Sequence, residues 1–181
     1  LSLNAMWLGT LAGAVAGTLC GLLNGVLVTQ LRLQPFIVTL GTMSVFRGIA
    51  YVMNDGQPYN VPSYTFLGDG QLAHLPVSIV IAVVIIGLAI LVLRFTPLGR
   101  YTYAIGSNRE AAFHAGIAVK RNLTAIYTLS GLLVGVAAMI ATSRTVSAQP
   151  TAGIGLELDI IAAVVIGGAS LSGGRGTSIG T

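Results

Sequence analysis

The sequence predicts an all-α protein: a polytopic bundle of membrane-crossing helices with short or re-entrant half-helices and a small helix on the cytoplasmic side. Three observations carry this expectation. Charged residues make up 8% of the 181 residues and hydrophobic ones 54%, with a mean hydropathy of +0.87; soluble domains hold about 25% charged residues. Four apolar runs, residues 5–31, 35–53, 75–93 and 123–141, are long enough at about 1.5 Å per residue to cross about 30 Å of hydrocarbon. The basic residues are also asymmetrically placed between those runs. Residues 1–181 read as one transmembrane domain. It opens on Leu1 and stops at Thr181 inside a Gly-rich run, so it is expected to be a piece truncated at both ends.

The first run carries Gly9, Gly13, Gly17, Gly21 and Gly25 at strict four-residue spacing. Such a stripe lets another helix backbone approach, and close packing drives helix association in lipid. It serves either a subunit contact or packing within the chain. Asn24 in the same run is suited to an interhelical hydrogen bond. Cys20 has no second cysteine to pair with, which excludes disulfide and zinc frameworks.

The second run holds Arg47, about one turn from a cluster of turn formers. A cation inside a span is costly. It either snorkels to the surface or pairs with a carboxylate, or it lines a polar pathway. Thr39, Thr42 and Ser44 supply hydroxyls nearby, and only Ser44 is three residues from Arg47. The following segment, 54–74, contains NDGQPYNVPSY and reads as an ordered loop without strand.

Placing Arg32 and the loop 94–122 inside puts Arg94, Arg100, Arg109, Lys120 and Arg121 in the cytoplasm, as basic loop residues prefer. The outer segments then hold Asp55, Asp69, Glu157 and Asp159, with Arg144 as their one base. Nucleic acid does not fit, because the basic residues form no stripe interleaved with aromatics.

A fifth apolar run, 160–171, reads as a short or re-entrant helix. Glu157 and Asp159 just before it either complement the helix dipole or, with Gln149, bind a polar solute at the outer mouth. The tail GGASLSGGRGTSIG has glycines at 168 and 173 but continues with Gly174 and Arg175. It therefore lacks the G-K-[ST] of a nucleotide loop and reads as a tight turn that lets helices approach. His74 and His114 have no second ligand in reach, so no metal is expected. Nor can nucleophile, base and orienter be assembled into a catalytic site, and no cofactor is called for.

Between the third and fourth runs lies a polar island. Ser107, Asn108, Arg109 and Glu110 fit the S-x-x-E capping box, predicting a helix that starts at Asn108. Gly116 then offers a left-handed C-cap. About two turns of helix are unstable alone in water, so this one must lean on the membrane surface or dock into a partner. Ala111, Ala112, Phe113 and Ala115 are its small or apolar residues.

The stretches QPFIVTLGTMSVFRGIAY, LGRYTYAIGSNREAAFHAGIAV and SAQPTAGIGLELDIIAAVVIGGASLSGGRG together resemble the permease subunit of monosaccharide ATP-binding-cassette importers of the ribose, xylose and galactose type. The resemblance covers most of the chain from Gln34 to Thr181. It implies a multi-pass protein of the bacterial inner membrane, surrounded by lipid and paired with a second permease subunit as a homo- or heterodimer. Two cytoplasmic ATPase subunits and a periplasmic or lipid-anchored sugar-binding protein complete the assembly, so ATP hydrolysis lies outside this chain. By the same resemblance Ser107 to Gly116 is the helix that couples to the ATPase, through Ser107, Asn108, Glu110, Ala111, Ala112, Phe113 and Gly116. A solute pathway would draw on Thr39, Ser44, Arg47, Gln149, Glu157 and Asp159. Related permeases take branched-chain amino acids, autoinducers or nucleosides. An ion-driven secondary transporter would need intramembrane acids, and no Asp or Glu lies in any long run. A scaffold that transports nothing would explain the glycine stripe but not the capped island.

Overall fold

A computed structural model describes residues 3–31, 33–62, 64–72, 75–170 and 173–176, without side chains at 3–6, 69 and 72. Arg32, His74 and the last residue of the run 160–171 lie outside the described residues. The chain divides into two compact units, Leu1–Ile81 with Thr124–Ala152, and Ala82–Leu123 with Gly153–Thr181.

Among the described residues four helices are long and apolar enough to cross a membrane: Trp7–Gln30 within α1 (Leu3–Gln30), α2 (Pro35–Met53), α4 (Val77–Phe95) and α7 (Val119–Thr145). They expose large side chains such as Leu11, Val83 and Val134. Surface of that kind fits lipid and not water. Both α4 and α7 contribute to each unit.

In the first unit α1 packs on α7 through glycine. A Cβ placed on Gly17 would lie 2.7 Å from Gly135 Cα, one on Gly21 2.8 Å from Gly131 Cα, and one on Gly25 3.0 Å from Thr124 Cα. Real Cβ atoms essentially never come within 3.0 Å, so residues 17 and 21 must lack a side chain for this approach. Gly131 and Gly135 reciprocate. The seam is narrower than a five-glycine stripe. Gly13 faces the movable side chain of Met139, and Gly9 has only the Tyr64 ring, at 4.0 Å. With about 3.6 residues per turn, each four-residue step turns the stripe by about 40°, so five glycines cannot all meet one partner. At the seam's end the Thr29 and Thr124 hydroxyls lie 3.2 Å apart in a hydrogen bond. The Thr42 hydroxyl donates to Asn24 Oδ1 at 2.6 Å and ties α2 to α1.

The segment expected as a strandless loop carries short paired elements. β1 (Tyr59–Asn60) pairs antiparallel with β4 (Ser147–Ala148), with Tyr59 opposite Ala148. α3 (Phe66–Asp69) follows, and then β2 (Gln71–Leu72) turns back onto β3 (Leu75–Pro76). Two-residue strands are too short to show period-2 alternation, yet they satisfy backbone groups in the links between helices. Tyr64, Leu67 and Val77 form a small core beneath them with Val61, Ile81 and Met139. The fully buried Ser143 accepts a hydrogen bond from Gly68 N at 2.9 Å, and the Tyr64 and Thr10 hydroxyls share one of 2.7 Å.

The second unit contains α5 (Pro97–Ser107), α6 (Arg109–His114) and α8 (Leu156–Ile166). α5 begins as a helix should. Thr96 is extended and caps it by accepting from Gly99 N at 3.4 Å, and Pro97 takes the first helical position, where no amide donor is needed. α8 has 11 residues, about 16 Å of helix. That is half the thickness of the hydrocarbon layer, as a half-helix requires.

Candidate functional site

The polar island folds as two helices meeting at a right-handed to extended break. Ser107 is not the cap. It is still helical as the last residue of α5, and Asn108, at φ −154° and ψ 106°, is the residue that leaves the helix. Asn108 Oδ1 accepts from Glu110 N at 3.0 Å and from Ala111 N at 2.9 Å, so α6 starts at Arg109, one residue later than the S-x-x-E pattern predicts. Two adjacent residues could each cap. The one whose backbone is extended does so, because only that conformation turns its side chain toward the free amides.

The other end of α6 is closed with equal care. Gly116 adopts φ +82°. Its N–H donates to Phe113 O at 3.0 Å, and Ile117 N–H donates to Ala112 O at 3.1 Å, the paired bonds of a Schellman motif. Ala112, 5% exposed, packs with Ile105 of α5 and Val119 of α7, and Ile117 and Leu123 close the cluster. A helix of 6 residues therefore stands because it is capped at both ends and leans on α5 through Ala112. Phe113 points elsewhere: it is 66% exposed, and its ring meets His114 edge-on at 5.7 Å.

Replacing Asn108 by alanine is expected to cost about 1 kcal/mol of local helix stability. Amide hydrogen exchange at Glu110 and Ala111 should speed up about five-fold, with the α4 and α7 amides unchanged. Unaltered exchange at those two amides would show that the cap is not formed by Asn108.

A second feature lies in the first unit. A cavity of about 650 Å³ runs between α1, α2 and α7 and is lined largely by glycine, alanine and apolar side chains. Its polar lining is Asn24, Thr39, Thr42, Arg47, Tyr127 and Ser130. Arg47 is partly buried there, and no acidic residue is among the described residues that line the cavity. The group can donate and accept hydrogen bonds with a neutral polar molecule.

Of the six pathway residues expected from sequence, Thr39, Ser44, Arg47 and Gln149 belong to the first unit and Glu157 and Asp159 to the second. Thr39 and Arg47 line the cavity, although the Thr39 hydroxyl is also engaged with Pro35 O at 3.0 Å. Ser44 is exposed and donates to Leu40 O at 3.1 Å, and it is not among the lining residues. Gln149 is exposed and stands beside the lining residue Pro150. Glu157 and Asp159 belong to the second unit. There they occupy the first turn of α8, where Glu157 Oε2 accepts from Gly155 N at 3.1 Å. That bond and the helix dipole account for Glu157. Sequence reading passed over Tyr127 and Ser130, whose three-residue spacing on α7 was the available signal.

Four apolar spans joined by short elements define a multi-pass membrane protein. The chain belongs to the family described as "Branched-chain amino acid transport system / permease component", whose profile matches residues 1–181. It is 49% identical over 162 residues to the ribose import permease protein of Bacillus subtilis (strain 168), covering 87% of this chain and 50% of that one. It is 42% identical over 174 residues to the L-arabinose transport system permease protein of Escherichia coli (strain K12), covering 95% and 53%. With the D-allose transport system permease protein of the same strain it shares 35% over 168 residues, covering 92% and 52%. The chain thus spans about half the length of these curated relatives. No solved structure matches it significantly.

Proposed function

We propose that this chain is the permease part of an importer that moves a monosaccharide across a bacterial inner membrane, driven by ATP hydrolysis in separate cytoplasmic subunits docked on α6. The observation that carries the reading is Phe113: a large apolar side chain two-thirds exposed on a helix held rigid by two caps and a buried alanine. An exposed aromatic on a fixed helix suits a partner's groove. The family supplies the transport class, and the relatives named for ribose, arabinose and allose supply the kind of solute. The cavity supports the same reading. Its hydroxyl, amide and guanidinium groups suit a neutral polyol, and no carboxylate of the kind that couples protons or sodium is among its described lining residues. A second permease subunit and a sugar-binding protein outside the membrane complete the proposed assembly.

Two measurements test this. In proteoliposomes containing the intact transporter, uptake of labelled D-ribose should require internal or external ATP on the α6 side only. It should be competed by at least one of D-ribose, L-arabinose and D-allose, and not by leucine. Uptake driven by a proton or sodium gradient without ATP would refute the coupling; competition by leucine would replace the solute class. For orientation, a cysteine at the exposed Arg109, in a Cys20→Ala background, should resist an impermeant thiol reagent in intact cells and react after permeabilisation. Labelling in intact cells would invert the topology and remove the ATPase from α6.

A further inference from the structure

The glycine run after α8 is seated on the polar island. α8 ends in its own Schellman motif, with Gly168 N–H on Val165 O at 3.0 Å and Ala169 N–H on Val164 O at 3.1 Å. Ser170 N–H then donates to Arg175 O at 3.0 Å, which carries the chain back over the helix end. Gly173 and Gly174, at φ +86° and +74°, lie against the last residues of α5. A Cβ on Gly106 would be 2.5 Å from Gly174 N, and one on Gly174 would be 2.6 Å from Ser107 N. The Tyr103 hydroxyl donates to Gly176 O at 3.0 Å, and a Cβ on Gly176 would come within 3.2 Å of Ala169 Cβ. A continuous line of close backbone contacts thus runs from the end of α8 to Ser107, the residue immediately before the cap of α6. Within it, left-handed backbone and the absence of side chains are both needed.

We propose that Gly106, Gly174 and Tyr103 are positioning residues that lock α8 to α6, so that displacement of α6 by the ATPase moves α8. This rests on the reading of α6 as the docking helix. Between Gly106 and Ser107 on one side and Gly173 and Gly174 on the other the contacts are backbone on backbone, and such a joint transmits a push because it has no rotamers with which to absorb one. α8 is the element that would respond, since its C-terminal end leads directly into the joint through Gly168 and Ala169.

Gly106→Ala tests the joint in the intact transporter. Alanine is a better helix former than glycine, so α5 itself is not weakened; what changes is the added Cβ, which must push Gly174 away. ATPase subunits should co-purify at the wild-type level and retain basal hydrolysis, while ATP-driven uptake of D-ribose falls at least ten-fold. Tyr103→Phe, which removes one hydrogen bond and no volume, should show the same split with a two- to five-fold loss, and it carries the test should Gly106→Ala fail to fold. Wild-type uptake in either folded variant would overturn the proposal. So would a loss of ATPase co-purification in proportion to uptake, which would make these residues part of the docking surface. If Gly106→Ala transports normally while Phe113→Ala is uncoupled, only the joint is wrong; if Phe113→Ala is also normal, the docking reading falls with it.

Discussion

Alanine at Gly17 or Gly21 is expected to unfold the α1–α7 seam, with a net loss of about 1–3 kcal/mol characteristic of an overpacked interior. A single methyl group suffices here. The atoms it meets are Gly131 O, Gly135 Cα and Gly135 N at position 17, and Tyr127 O, Gly131 Cα and Gly131 N at position 21. Backbone cannot rotate out of the way as a side chain can, so the two helices must part along the seam. Parting them also stretches the Thr29 to Thr124 hydrogen bond. Opposing this is the helix propensity of alanine, about 1 kcal/mol better than glycine, which is too small to reverse the sign. Gly41→Ala, Gly48→Ala and Gly87→Ala are the controls, since a Cβ at each meets nothing within 4 Å; they should be neutral or slightly stabilising. Gly9→Ala should behave like the controls despite its place in the stripe. Thermal stability in detergent, followed by monodispersity on size exclusion, reads the difference. Wild-type stability in Gly17→Ala and Gly21→Ala would mean that the seam is not formed as described.

Legibility in the sequence followed the kind of force involved. The four spans were readable because burial in lipid depends on composition over about 20 residues, and no other interaction competes with it. Their ends were less so: α7 runs Val119–Thr145, beyond the apolar run 123–141 at both ends, since polar residues such as Lys120, Asn122 and Thr142 continue the helix outside the hydrocarbon. α5 was not legible, although Thr96 followed by Pro97 is a helix start, because the S-x-x-E pattern places Ser107 at the head of the next helix and not at the end of this one. That error is physical in origin. Ser107 and Asn108 both have capping side chains, and only the packing of Ile105 and Ala112 decides where the chain turns. The glycine tail could be read as a tight turn against a helix, but not which helix. As a solute site the cavity was legible only through Arg47 and Thr39: Thr42 on the same run and Asn24 on the first read as packing or neighbouring groups, and Tyr127 and Ser130 come from a separate run that no spacing rule connects to them.

Phe113→Ala is expected to weaken association with the ATPase subunits by about ten- to a hundred-fold. Full burial of a phenylalanine stabilises by about 1.5–3 kcal/mol, and each 1.4 kcal/mol is about ten-fold in affinity. Most of that surface remains available, since Phe113 is 66% exposed and lies outside the Ile105, Ala112 and Val119 cluster that supports α6. The substitution should therefore leave the helix in place: Asn108 still caps its start, Gly116 its end, and alanine is the better helix former. Arg109→Ala is the contrast. Arg109 is exposed on the first turn of the same helix, and an exposed ion pair with a partner is worth at most about 1 kcal/mol, so its loss should be several-fold smaller. Co-purification of the ATPase and solute-stimulated hydrolysis should fall together in Phe113→Ala, while the amount of permease inserted in the membrane stays constant. Should both remain at the wild-type level with α6 intact by hydrogen exchange, Phe113 does not anchor a partner. The helix then rests on the membrane surface, where an exposed phenylalanine beside basic residues is equally at home.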